Sequence, residues 1–196
     1  MKIIVVSQRI DFIPVRKEYR EALDQRLISF IKSAGAWAVP VPNTLGCSSQ
    51  LDVWLRNIKP TAILLSGGND IGEYPARDLT ERKLLAYAQK RMLPVLGICR
   101  GMQMLGIRAG TALKPVNGHA GTRHKIFGRI KGDVNSFHNQ ALIDLPTEYT
   151  LLAQSDDGVI EAIRHIHLPW EGWMWHPERE PVFAPQDIGR FTALLK

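Results

Sequence analysis

Pro94-Val95-Leu96-Gly97-Ile98-Cys99-Arg100-Gly101-Met102-Gln103 is the stretch whose reading decides the fold. Residues 94–98 read as a short buried strand and residues 101–110 as the start of a helix, with Cys99 on the corner between them. A strand-to-helix corner of this kind holds its middle side chain above the sheet edge, where a ligand can reach it. It also sets the sulfur beside a helix N-terminus, whose partial positive charge favours thiolate, the attacking form. Gly97 and Gly101 suit a crowded bend. Read with Trp175-His176-Pro177-Glu178 far along the chain, a cysteine between glycines and a distant His-x-Glu point to thiol hydrolase chemistry.

Outward from that corner, the front half alternates short apolar runs with helical patterns. Strands are expected at 2–6, 36–39, 62–65 and 95–98, and helices at 16–33, 51–58 and 80–91. The first helix rests on Tyr19, Leu23, Leu27, Phe30 and Ile31 at helical spacing and is ended by Gly35. This alternation is the signature of a parallel sheet flanked by helices, an α/β doubly wound fold. The back half changes character: strands at 131–134, 148–153, 159–164 and 172–175 are joined by turns such as Asp156-Asp157-Gly158, adding antiparallel strands to the same sheet. Residues 186–195 read as a closing helix. No linker or repeat divides residues 1–196, so one domain is expected.

Composition sets limits on function. A hydrophobic content of 45% with 22% charged residues is that of an ordinary globular chain. The apolar run at residues 1–6 is too brief for a signal peptide. No membrane span is evident. With two cysteines, Cys47 and Cys99, there is no disulfide framework, and a reducing cytoplasm is the expected setting. The net charge of +6 is concentrated, because Arg82 to Gly132 holds eleven basic residues and no acidic one. One reading is a solvated face; the other is attraction of a phosphate-bearing substrate, with the run from His119 to His124 overhanging the site. No aromatic series or recognition motif accompanies these charges, so nucleic acid is not an expected partner.

Four segments, Ser66-Gly67-Gly68-Asn69-Asp70, Gly97 to Gln103, Val134-Asn135-Ser136-Phe137-His138 and Trp175 to Glu178, fall in one order. In this the chain resembles the class I glutamine amidotransferases, and among them the gamma-glutamyl hydrolase-like branch. It is similar to the bacterial subgroup that hydrolyses gamma-glutamyl-CDP-amidate in capsule phosphoramidate synthesis. The resemblance implies a flavodoxin-like, mostly parallel sheet and a Cys99, His176, Glu178 triad that cleaves a gamma-glutamyl amide through a thioester. It further implies oxyanion donors at the Gly68 and Arg100 N–H groups, and substrate contacts at Gly67, Gln103, Asn135, Ser136 and Phe137. Arg9, His119, Arg123 and His124 are candidate leaving-group contacts. The implied partner is a small gamma-glutamyl amide, phosphorylated or nucleotide-linked in the preferred case. The alternative is a glutaminase that delivers ammonia to a synthase partner.

Other residues read more plainly. Cys47 lacks a reactive setting. His138 is expected to orient its loop, and His165 and His167 to lie on the surface. No cofactor is expected, and no metal, because these three histidines have no close carboxylate cluster. Trp170, Trp173 and Trp175 read as core packing, with a base-stacking platform as the alternative. Oligomeric state is left open.

Overall fold

The computed structural model describes all 196 residues. β1 (Lys2–Val6) is followed by a hairpin of β2 (Arg9–Ile13) and β3 (Glu18–Ala22), and then by α1 (Gln25–Ser33). The helix expected over 16–33 is therefore half hairpin. Tyr19 faces Phe12 across that hairpin with ring centroids 4.8 Å apart, a cross-strand pair rather than part of a helical stripe. Asp24 marks the true start of α1, its carboxylate accepting from the Arg26 N–H at 2.8 Å. Leu27, Phe30 and Ile31 form the buried face of α1.

β4 (Ala36–Pro40), the single turn α2 (Asn43–Gly46), α3 (Gln50–Ile58) and β5 (Ala62–Leu65) come next. α4 (Pro75–Arg91) begins five residues before the expected position, with Pro75 at its first turn where the missing N–H costs nothing. Then follow β6 (Val95–Ile98), α5 (Arg100–Arg108), β7 (Leu113–Pro115), β8 (Ala120–Gly128), β9 (Gly132–Phe137) and β10 (Gln140–Leu142). The chain ends with β11 (Tyr149–Ser155), β12 (Ile160–His165), β13 (Trp170–Trp173) and α6 (Pro185–Leu194). β13 lies two residues earlier than expected, which leaves Trp175 and His176 beyond the strand.

Nine strands form one sheet in the order β4-β1-β5-β6-β13-β12-β11-β8-β9. The first five run parallel and the remaining four antiparallel. Numbering only the parallel strands gives 2-1-3-4-5, the flavodoxin-like doubly wound order. Ile4, Val5, Val6, Ile63, Leu64, Leu65, Val95, Leu96 and Ile98 are at most 1% exposed, as strands covered on both faces by helices require. Trp170, Trp173 and Trp175 are buried, and the last two stack at 5.4 Å, so they pack the core. α6 closes over α1 by stacking Phe191 on Phe30 at 5.6 Å.

β6 and α5 meet so closely that side chains are excluded. A Cβ on Gly97 would lie 2.5 Å from the Gly101 carbonyl carbon, and one on Gly101 only 2.2 Å from the Leu65 carbonyl oxygen. Those neighbours are backbone atoms of packed elements and cannot swing aside. Gly101→Ala is therefore expected to cost on the order of 3 kcal/mol. Urea denaturation should show a lowered midpoint, whereas Gly132→Ala, which meets nothing within 4 Å, should leave it nearly unchanged.

Candidate active site

Cys99 occupies the N-cap of α5 with φ 49° and ψ −105°, a conformation that non-glycine residues rarely adopt. Its N–H donates to the Trp173 carbonyl at 2.7 Å and its carbonyl accepts from Gln103 N–H at 3.1 Å, so both sides of the strained residue are tied down. The Trp173 bond joins the corner to β13, the strand that delivers His176. In register, Gly172 lies beside Gly97 and Trp173 beside Ile98.

His176 is 2% exposed and its Nδ1 lies 2.6 Å from Glu178 Oε1. Pro177 starts a short 3-10 turn over residues 177–179, which brings Glu178 back beneath the ring. Burial works against the charged imidazole, but hydrogen bonds to Cys99 and Glu178 and their negative charge outweigh it, raising His176 to about 9. Asn135 fastens the same residue by its main chain: its Oδ1 accepts from His176 N–H at 3.0 Å and its Nδ2 donates to His176 O at 2.8 Å. The turn itself is held by Arg26 of α1, which donates to the Glu178 carbonyl at 2.8 Å and to that of Glu180.

Opposite His176 runs the loop Ser66-Gly67-Gly68-Asn69. The ring crosses Gly67 so closely that a Cβ there would stand 2.6 Å from Cε1. Beneath the loop lies Arg77, 0% exposed, whose guanidinium donates to three successive carbonyls, Ser66 at 2.8 Å, Gly67 at 2.9 Å and Gly68 at 2.8 Å. With its carbonyls drawn down to Arg77 and the Ser66 N–H taken by Ser7 Oγ at 3.0 Å, the loop leaves the N–H groups of Gly67 and Gly68 without a partner in the protein. Gly68, at φ 87°, supplies the left-handed conformation this needs. Arg77 pairs with Glu81 at 3.1 Å, and Glu81 also accepts from Ser7 Oγ at 2.8 Å and from Arg100. Burial lowers Arg77 to about 10, with Glu81 opposing and Arg100 reinforcing that shift, so it stays charged at neutral pH. Arg100 also pairs with Asp78, and as the first residue of α5 its N–H has no partner within the helix.

A cavity of about 280 Å³ opens at this junction, lined by Arg9, Asp24, Gly67, Gly68, His176, Glu178 and Arg179 among others. The sequence profile of the glutamine amidotransferase class-I family matches residues 18–187. The chain belongs to this family. Gamma-glutamyl-CDP-amidate hydrolase of Campylobacter jejuni is 37% identical over 125 residues, 61% of this chain and 62% of that enzyme, so the match spans less than two thirds of its length. Anthranilate synthase component 2 of Thermococcus kodakarensis is 29% identical over 190 residues, covering 90% of this chain and 86% of the other. The crystal structure of a glutamine amidotransferase from Thermotoga maritima superposes with a TM-score of 0.66 at 16% identity, over 90% of this chain and 76% of that one, and shares the fold.

Within this amidotransferase framework the other sequence-based expectations fare unevenly. Arg9 does reach the cavity, packing on Gly68 and pairing with Asp11 at 2.7 Å. Asn69 ties the loop to β2 through the Ile10 N–H and carbonyl at 2.8 and 3.0 Å. Gln103 is buried and donates to the Gln140 carbonyl at 2.9 Å. Phe137 sets its ring edge against His176 at 5.9 Å, while Ser136 is fully buried and donates to the His119 carbonyl.

Five expectations are corrected. His119 and His124 do not overhang the cavity, because 120–128 is the strand β8 and both rings turn inward on Glu161. Arg123 is spent on Asp133 and Glu180, at 2.7 and 2.9 Å. His138, expected to have no carboxylate near it, also faces Glu161, and His165 is buried against Tyr149 and Trp170. Nor is the basic stretch one docking surface: Lys83, Lys90 and Arg91 line a groove between α3 and α4 that contains none of Cys99, His176 and Gly68. Arg77 and Glu81 do not stand out as site residues in the sequence, where Arg77 precedes the helix expected over 80–91 and Glu81 reads as part of its entry; only the observed α4 puts both charges on one buried face. Arg77→Met is expected to cost about 3–5 kcal/mol by removing one of Glu81's two ion pairs and leaving three carbonyls unpaired, measured by urea denaturation. Arg77→Lys should recover part of it, keeping the charge without the planar fork.

Proposed function

We propose that this chain is a cysteine hydrolase of gamma-glutamyl amides, acting through Cys99, His176 and Glu178. The observation that carries this reading is the buried imidazole held between a strained cysteine and a carboxylate, above a loop whose carbonyls are drawn away by Arg77. Because His176 holds its proton up to about pH 9, it enters the reaction as imidazolium, and in this reading Cys99 attacks as thiolate. The thiolate attacks the amide carbonyl carbon, forming the C–S bond and an oxyanion that the N–H groups of Gly68 and Arg100 receive. His176 gives its proton to the leaving nitrogen as the C–N bond breaks. The neutral imidazole then takes a proton from water, whose oxygen displaces sulfur and releases glutamate, restoring the charged pair. Glu178 holds the ring's orientation and stabilises its charge throughout.

The preferred leaving group is a phosphorylated or nucleotide-linked amine such as CDP-amidate. The similarity to the Campylobacter enzyme supports it, as does the position of Arg9 and Arg179 at the cavity. A second reading is favoured by the longer match to a synthase component: a glutaminase that passes ammonia to a synthase partner.

Glutamate release from gamma-glutamyl-CDP-amidate, glutamine and a gamma-glutamyl polyamine separates the two. Turnover of the nucleotide conjugate without any partner supports the hydrolase; turnover of glutamine only after a synthase is added supports the second. Cys99→Ala should reduce release roughly 10⁴-fold in either case. Arg9→Ala should raise KM about tenfold for the nucleotide conjugate alone.

The pH profile tests the charged pair. His176 lies above its ordinary value of 6.5, so its protonated form is complete below that pH and is lost as pH rises through about 9. kcat/KM is expected to stay level through neutrality and fall above pH 9, with Glu178→Gln moving that limb downward. A wild-type limb near 6.5 would contradict the arrangement.

A further inference from the structure

On the antiparallel side of His176, where the Glu161 carbonyl accepts from the Met174 N–H at 2.7 Å, three histidines converge on one buried carboxylate. His119 Nδ1, His124 Nε2 and His138 Nε2 stand 3.5, 3.3 and 3.5 Å from the same atom, Glu161 Oε1. Glu161 is 0% exposed, His138 3% and His119 4%. All three of those nitrogens and both Glu161 oxygens lack a hydrogen-bond partner, five orphaned polar atoms in one place. Buried groups seldom remain so, because each forfeits its interaction with water.

The outward nitrogens explain what is missing. His119 Nε2 lies 2.9 Å from Asp157 Oδ2, and His138 Nδ1 lies 3.1 Å from the Gln140 carbonyl. Neither oxygen can donate, so in both rings the outward nitrogen carries the proton. In the neutral form of each ring the inward nitrogen is then a lone pair aimed at a carboxylate oxygen. Asp157 is itself held by Ser155 Oγ at 2.6 Å. An outward N–H on a carboxylate or carbonyl, with the inner lone pair free, is how proteins orient metal-ligating histidines.

The geometry points to a structural divalent-metal site of the zinc class, with His119, His124, His138 and Glu161 as ligands. Zinc bonds of about 2.0–2.1 Å in a tetrahedron place neighbouring ligand atoms about 3.3–3.4 Å apart, against the three separations found here. The ligand atoms of His119, His124 and Glu161 lie within 4.8 Å of one another, and His138 Nε2, joined through its 3.5 Å approach to Glu161 Oε1, would complete a set of three nitrogens and one oxygen that zinc favours. Four protein ligands make a closed site, structural rather than catalytic. The ion would pin β8, the end of β9 and β12 together, so it braces the strand that carries Asn135 and Phe137. The expectation of no metal, drawn from His138, His165 and His167, takes no account of Glu161, which lies far from His138 in sequence.

The test uses the full chain with any affinity tag removed, stripped with a chelator and titrated with CoCl₂ and ZnCl₂. One Co²⁺ per chain should bind with the intense visible bands of tetrahedral coordination, bleached by Zn²⁺. Zinc at hundredfold excess over its Kd should raise Tm by about 5–10 °C. Glu161→Gln and His124→Ala should lose both signals, while a His165→Ala/His167→Ala variant keeps them. His124 is the ligand most open to solvent, so its variant is the one expected to stay folded, checked by circular dichroism. A wild-type chain with neither cobalt bands nor a Tm shift overturns the proposal and leaves a proton-sharing cluster. So does a folded His124→Ala variant that still binds one tetrahedral Co²⁺.

Discussion

The structure depends on the contact between β6 and α5. Two glycines let a strand and a helix touch backbone to backbone, and the chain can turn between them only with Cys99 at positive φ. Strain of this kind costs about 1–3 kcal/mol and persists only where its surroundings over-determine it. Here they do: β5 packs against Gly101, β13 accepts the Cys99 N–H, and Gly172 admits Met102 where a Cβ would come within 2.7 Å of its side chain. The corner is thus gripped from both neighbouring strands, and the exposed end of the sheet is built around it.

A second constraint is electrostatic. Arg77, Glu81, Arg100 and Asp78 form a buried chain of alternating charge that runs under the Gly67-Gly68 loop and ends at the start of α5. Desolvating four charges is costly unless each finds partners, and here loop carbonyls and the Ser7 hydroxyl supply them. The network sets the loop and the α5 N-terminus in one frame, so the N–H groups of Gly68 and Arg100 are positioned by the same interactions.

Much of this is legible in the chain. Buried parallel strands appear as unbroken runs such as Ala62 to Leu65, and the cysteine corner is marked by its glycines. His176 and Glu178 are separated by only one residue. The hairpin β2–β3 is hidden because Tyr19 and Leu23 happen to continue the helical spacing of α1, and β8 because its half-polar pattern reads as a solvated turn. Arg77 and the histidines around Glu161 are obscured for a different reason. Their meaning lies in partners from other elements, and a charge inside a helical pattern looks solvated until the fold shows where that face points.

The neighbourhood of β6 and β13 also has a temporal side. Cys99 precedes in the chain everything that forms the antiparallel half, while its imidazole arrives on the strand that closes the sheet's centre. Until β13 docks against β6, the thiol has neither the Trp173 carbonyl to hold its corner nor His176 beside it. In the proposed hydrolase the cysteine gains its catalytic partner only when β13 docks, so reaction of that sulfur with a thiol reagent is expected to report the docking.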